Sequence, residues 1–311
     1  MPGNQGSRND KRDERQENMN RMAMKAQKHR TSLFCLISCG FAALAFTTPA
    51  KAVDEIQVYN AGIAAPGQLT IQQHLNYVAL GLKQPTFPGG LVSDGSINGT
   101  PEFAYGLTDW WEVGLYLPFA IQDRQFLSDS VKLRTLFVSP HADQRNFFYG
   151  VNFELSNTTP KFAQTRFGVE FRPIIGVRNA EWEFIVNPIV DIGFGKYGQA
   201  DFAPAVRLAR KLDKDLFVGL EYYADLGEIG RFGKISDQQH TLFAVTDLKL
   251  GVFDINLGIG YGLTPSSDRL VVKTIVGYPF PAPGGSPGAS ERAPTGPVNP
   301  MSRSAARTAS Y

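Results

Sequence analysis

Cysteine is nearly absent from this chain. Of 311 residues only Cys35 and Cys39 are cysteine, and both lie in the first 52 residues. From residue 53 onward no disulfide, thiolate metal site or cysteine nucleophile is available. Histidine is scarce as well. His74, His141 and His240 are scattered without ligand spacing, so neither a metal site nor a cofactor is expected. After residue 52 no apolar run is long enough for a transmembrane helix. Basic patches with interleaved aromatics are also missing, which argues against nucleic acid as a partner. Nor does charge of one sign dominate. The chain has 31 Lys and Arg against 29 Asp and Glu; residues 1–52 hold nine and four of these, leaving 22 basic and 25 acidic residues behind them.

What is present starts with an export segment. Lys25, Lys28 and Arg30 form a basic region ahead of the apolar stretch Leu33 to Phe46, and Ala50-Lys51-Ala52 offers a small-x-small cleavage site. Residues 1–52 therefore read as a signal peptide with a long n-region, in which Met22 or Met24 is an alternative start. Leu36-Ile37-Ser38-Cys39 loosely fits a lipobox, but the apolar stretch continues past Cys39. Residues 53–68 form a short leader. In it Ile56, Val58 and Tyr59 either make a short strand or pack inside the mouth of the domain that residues 69–280 build.

Behind the leader the chain alternates. In residues 165–178, Phe167, Val169, Phe171, Ile175 and Val177 take one parity, and Arg166, Gly168, Glu170, Arg172, Gly176 and Arg178 the other. Successive strand side chains point to opposite faces, so one face is apolar and the other holds glycine and both charge signs. The pattern recurs from residue 69 to 280 in about twelve segments. It predicts an all-β fold, an antiparallel transmembrane β-barrel with a polar lumen. Long connections are expected at 83–95, 122–130 and 193–200, and a compact turn at Thr108-Asp109. Residues 281–311 hold six prolines among Gly, Ser and Ala without periodicity, the composition of a disordered tail.

A soluble sandwich would alternate too, with its apolar set turned inward. Four features favour lipid. The apolar parity lacks Lys and Arg, which would cost about 2–4 kcal/mol at a bilayer midplane. The polar parity is rich in glycine. Tyr105, Trp110, Trp111, Phe147, Phe148, Trp182, Tyr222, Tyr223 and Tyr278 gather near strand ends, as interfacial girdles do. The last strand ends Tyr278-Pro279-Phe280, similar to the terminal aromatic strand that barrel-assembly machinery reads. Outer-membrane lipid, that machinery and small-molecule solutes are the expected partners, and the cell outer membrane the expected location.

The stretches YNAGIAAPGQLTIQQHLNY (59–77), PEFAYGLTDWWEVGLYLP (101–118) and INLGIGYGLTPSSDRLVVK (255–273) resemble a family of Gram-negative outer-membrane barrels labelled as components of the phenol meta-degradation pathway. The resemblance covers roughly 55–280. It implies porin-like transport of small organic molecules and carries over no catalytic residue.

Parity places one set of polar side chains in the lumen: His74, Glu102, Glu112, Lys132, Arg134, Glu154, Arg166, Glu170, Arg172, Glu183, Asp191, Arg207, Glu221 and Lys273. Two readings stay open. The set lines a wet pore and tunes passive passage of small, hydrophobic or aromatic solutes, or it pairs across strands and closes the barrel, whose loops or tail then bind partners. No catalytic role is expected. A lipid hydrolase would need a nucleophile and an orienting carboxylate beside His74, and no Ser lies two positions away on its face. Gly258, Gly260 and Gly262 alternate within one strand with no helix after them, so they are no phosphate loop.

Overall fold

The computed structural model describes residues 55–281. The expected signal peptide and the proline-rich tail lie outside them. Alternation produces sixteen strand segments: β1 Leu69–Leu80, β2 Ile97–Gly106, β3 Trp111–Tyr116, β4 Phe119–Gln122, β5 Gln125–Ser128, β6 Ser130–Val138, β7 Phe147–Thr158, β8 Phe167–Arg178, β9 Trp182–Asn187, β10 Val190–Phe194, β11 Ala200–Phe202, β12 Ala205–Asp213, β13 Leu216–Asp225, β14 Gln239–Leu250, β15 Phe253–Gly262 and β16 Leu270–Pro279. Four pairs are halves of one wall strand. β3 and β4 are parted by Leu117-Pro118, β5 and β6 by Asp129, β9 and β10 by Pro188-Ile189, β11 and β12 by Ala203-Pro204. Proline cannot donate to a ladder, so three of the four breaks follow from sequence. The result is twelve wall strands. Every neighbour is antiparallel, and β1 pairs with both β2 and β16, so the sheet closes on itself and has no free edge.

The outside of the cylinder is apolar. Leu75, Leu155, Ile175, Leu220 and Ile259 are exposed side chains along it. In water such a surface would aggregate; in a bilayer it is the required lipid face. The chain is an outer-membrane β-barrel. Both barrel ends of the chain, Leu69 and Pro279, lie at one rim with the connections 107–110, 139–146, 179–181, 214–215 and 251–252. That rim is periplasmic, and the other rim, with 81–96, 159–166 and 226–238, is external.

Several expectations change here. Residues 122–130 are no long loop: the strands run on to a two-residue turn at Asp123-Arg124, both with positive φ, 50° and 63°, the twist a tight hairpin needs. Likewise 193–200 shrinks to 195–199, and the long outer loop at 226–238 went unanticipated. The aromatic girdle needs correction at two positions. Phe148 is fully buried inside the barrel and Tyr223 packs edge-on against the interior Phe243. The periplasmic girdle is real elsewhere, with Trp110, Trp111 and Phe137 stacked at 5.7–6.2 Å. Gly176 shows why interior glycine matters. A Cβ there would lie 2.0 Å from the Phe148 ring, so only glycine lets that ring lie flat on the wall.

Candidate functional site

The leader folds back into the lumen. Residues 55–65 run through the barrel and leave at the periplasmic rim, where the Gly67 N–H donates to the Gly106 carbonyl at 2.8 Å. Of the two placements left open by the sequence, the segment takes the interior one, and without joining the sheet. Ile56 packs with Val78, Phe243, Val245 and Val271. Val58, Tyr59 and Ala61 pack with Leu136, Val138, Phe148, Ile174 and Ile185. All these wall residues are apolar side chains on the inward parity. They are the exceptions to the alternation, and together they form the footprint of the segment.

Polar side chains of the wall hold the segment's backbone. Asn187 accepts the Tyr59 N–H at 2.7 Å and donates to the Tyr59 carbonyl at 3.1 Å, as a neighbouring strand would. Lys273 donates to the Ile56 carbonyl at 3.0 Å, Arg172 to Gln57 at 3.3 Å and Arg178 to Asn60 at 3.2 Å. The Glu112 carboxylate accepts the Ala64 N–H at 2.5 Å. Buried backbone groups need partners, and here the wall supplies them. The Tyr59 hydroxyl meets that of Tyr116 at 2.7 Å and donates to Glu55 at 2.8 Å. The Arg172 guanidinium lies 4.2 Å from the Tyr59 ring centre.

The interior charges also pair with one another. Arg134 bridges Glu102 at 2.6 Å and Glu112 at 2.5 Å. Arg207 reaches Glu183 at 3.6 Å, Glu221 at 2.5 Å and Asp247. Lys273 meets Glu221 at 2.5 Å, Arg178 meets Glu183 at 3.2 Å and Arg172 meets Glu170 at 2.6 Å. Glu154 accepts from Asn152 at 2.8 Å. Lys132 and Asp191 stand higher, lining an external pocket of about 140 Å³ with Glu154, Glu170, Asp201 and Tyr197.

Arg166 is corrected. It lies on the exposed outer rim, bonded to Asn157 at 3.2 Å and 5.6 Å from the Phe167 ring, because it precedes β8 and turns outward. Sequence reading missed Glu55, Arg178, Asp201 and Asp247 as interior members. Arg178 sat on the right parity. Asp247 was hidden because inward Phe243 and Val245 blur the alternation of β14. His74 bonds Glu102 at 3.3 Å and is buried inside the wall, where a lipid substrate does not reach.

No protein-family profile and no curated protein matches the chain. Solved structures do. An outer-membrane channel from Pseudomonas putida F1 is similar at a TM-score of 0.54, with 12% identity over 73% of this chain and 100% of its own. The KdgM porin, solved with disordered oligogalacturonate, reaches 0.44 with 9% identity over 68% of this chain and 99% of its own. The outer-membrane channel DcaP of Acinetobacter baumannii reaches 0.33 with 8% identity, covering 68% and 96%. At such identity the first likeness speaks for the fold, an outer-membrane barrel.

Proposed function

We propose that the barrel passes small organic solutes passively across the outer membrane, and that residues 55–65 hold it shut between passages. The observation that carries this reading is the nature of the filling. The centre of the lumen is occupied by a strand-free piece of the chain's own leader, which joins the wall at the periplasmic rim. A barrel closed for structure alone could fill itself with wall side chains. Here the wall instead carries an apolar footprint and a set of backbone-binding side chains for a removable occupant. The interior charges His74, Glu102, Glu112, Arg134, Glu154, Glu170, Arg172, Glu183, Arg207, Glu221 and Lys273 then act as a docking cradle, with Lys132 and Asp191 in the external vestibule. The resemblance to barrels of the phenol meta-degradation pathway extends the solutes to hydrophobic and aromatic ones.

A second reading, a permanently closed structural barrel, is favoured by the density of buried ion pairs. One variant separates the two. Asn187→Leu removes both hydrogen bonds to Tyr59 at similar volume. Two bonds at about 1 kcal/mol each should raise the displaced population roughly thirtyfold. Liposomes carrying the variant should admit arabinose and benzenesulfonate, neither of which crosses lipid unaided, faster than those carrying the parent chain. If neither solute enters through either protein, the closed barrel is the better account.

A further inference from the structure

We propose that the outer loop 226–238 is a docking surface for the phosphate-bearing glycolipid of the outer leaflet. The loop begins beside β11: the Phe202 N–H donates to the Gly227 carbonyl at 3.0 Å and the Ile229 N–H to that of Ala200 at 2.8 Å. Gly227 and Gly230, with φ of 81° and 84°, then turn it. Asp201 lines the vestibule, so its neighbour Phe202 faces lipid. The Phe232 ring packs on Phe202 with centres 6.5 Å apart, which lays this part of the loop against the lipid side of the wall. Ile229, Phe232 and Ile235 are exposed at every third position, and Phe232 joins the lipid-facing Phe202.

The cations of the loop alternate with these apolar residues. Arg231 and Lys234 each precede one of them, Phe232 and Ile235. Arg231 has a partner in Glu228 at 3.3 Å, but the pair is exposed, and such pairs are weak enough for a phosphate to displace. The same rim carries two more cations on adjacent strands, Arg166 at the start of β8 and Lys196 after β10, each beside an aromatic ring. Exposed apolar side chains interleaved with cations match an acylated sugar phosphate. Neutral phospholipid would use only the apolar side chains.

The test uses the folded mature chain in detergent and native mass spectrometry with three probes: bis-phosphorylated lipid A, monophosphoryl lipid A and phosphatidylcholine. The expected order of binding is the order just given. The double variant Arg231→Gln, Lys234→Gln should lose lipid A affinity by roughly fivefold per charge removed, the worth of one basic residue at an anionic surface. Phe232→Ser should weaken all three lipids. The heat-modifiable folded band on gels confirms that each variant forms a barrel. Equal lipid A binding by parent and double variant overturns the proposal. So does equal binding of phosphatidylcholine by the parent, or a parent dimer that Phe232→Ser dissolves, since either makes the loop a plain apolar contact or an interface between copies.

Discussion

A chain that begins at Gln68 rather than Val53 is expected to conduct at least roughly tenfold better in a planar bilayer, because a filled barrel of twelve strands becomes water-filled. Removal of residues 53–67 takes away Ile56, Val58, Tyr59 and Ala61, the side chains that fill the two interior clusters. It also frees Lys273, Arg172 and Arg178 from the carbonyls of Ile56, Gln57 and Asn60. Water can replace those backbone acceptors, and the wall ladders do not depend on the segment, since all twelve strands start at Leu69 or later. The barrel should therefore still fold, at lower stability, and appear as a heat-modifiable band. Conductance indistinguishable from that of the full chain would mean that something other than the leader closes the lumen.

The second large effect concerns Arg207. Its guanidinium is buried and stands among Glu183, Glu221 and Asp247. Arg207→Met keeps most of the volume and leaves three buried carboxylates with one fewer cation. Breaking a buried pair by removing one partner costs about 3–5 kcal/mol, because an uncompensated charge stays behind. Glu221 retains Lys273 and Glu183 retains Arg178, so the loss falls most heavily on Asp247, which keeps the Asn256 amide at 2.6 Å. Urea titration of the folded band should show a midpoint well below the parent's. The double change Arg207→Met, Asp247→Leu should recover much of it, since it removes the carboxylate left without a cation while Glu221 keeps Lys273 and Glu183 keeps Arg178. An unchanged midpoint in Arg207→Met would mean that water solvates this cluster in the lumen.

The wall was legible in the sequence because its periodicity is strict wherever lipid lies outside. Phe167, Val169 and Phe171 against Gly168, Glu170 and Arg172 needed no further information. What alternation alone could not show was the content of the lumen. Ile174, Phe148 and Val138 break the alternation, and in isolation each reads as a defect in a polar face. They become intelligible only once Tyr59 and Ala61 are seen against them. The leader itself has no period, since it is neither helix nor strand. Several of its backbone hydrogen bonds run to side chains more than a hundred positions away, such as Asn187 and Lys273. Arg166 failed for a simpler reason: parity stops meaning anything one residue outside the strand. Asp123-Arg124 hid a tight turn because Arg124 stands at the second positive-φ position, where glycine is usual.

The central claim is that residues 55–65 lie inside the barrel, and thiol accessibility tests it most directly. The chain from Val53 contains no cysteine, so a single introduced thiol reports without background. Val58 is 5% exposed within the interior cluster, whereas Lys196 lies exposed in an outer loop. In the folded barrel, Lys196→Cys should react at once with a bulky membrane-impermeant maleimide, while Val58→Cys stays unmodified until the protein is denatured. Labelling of Val58→Cys in the folded state as fast as that of Lys196→Cys would contradict the account.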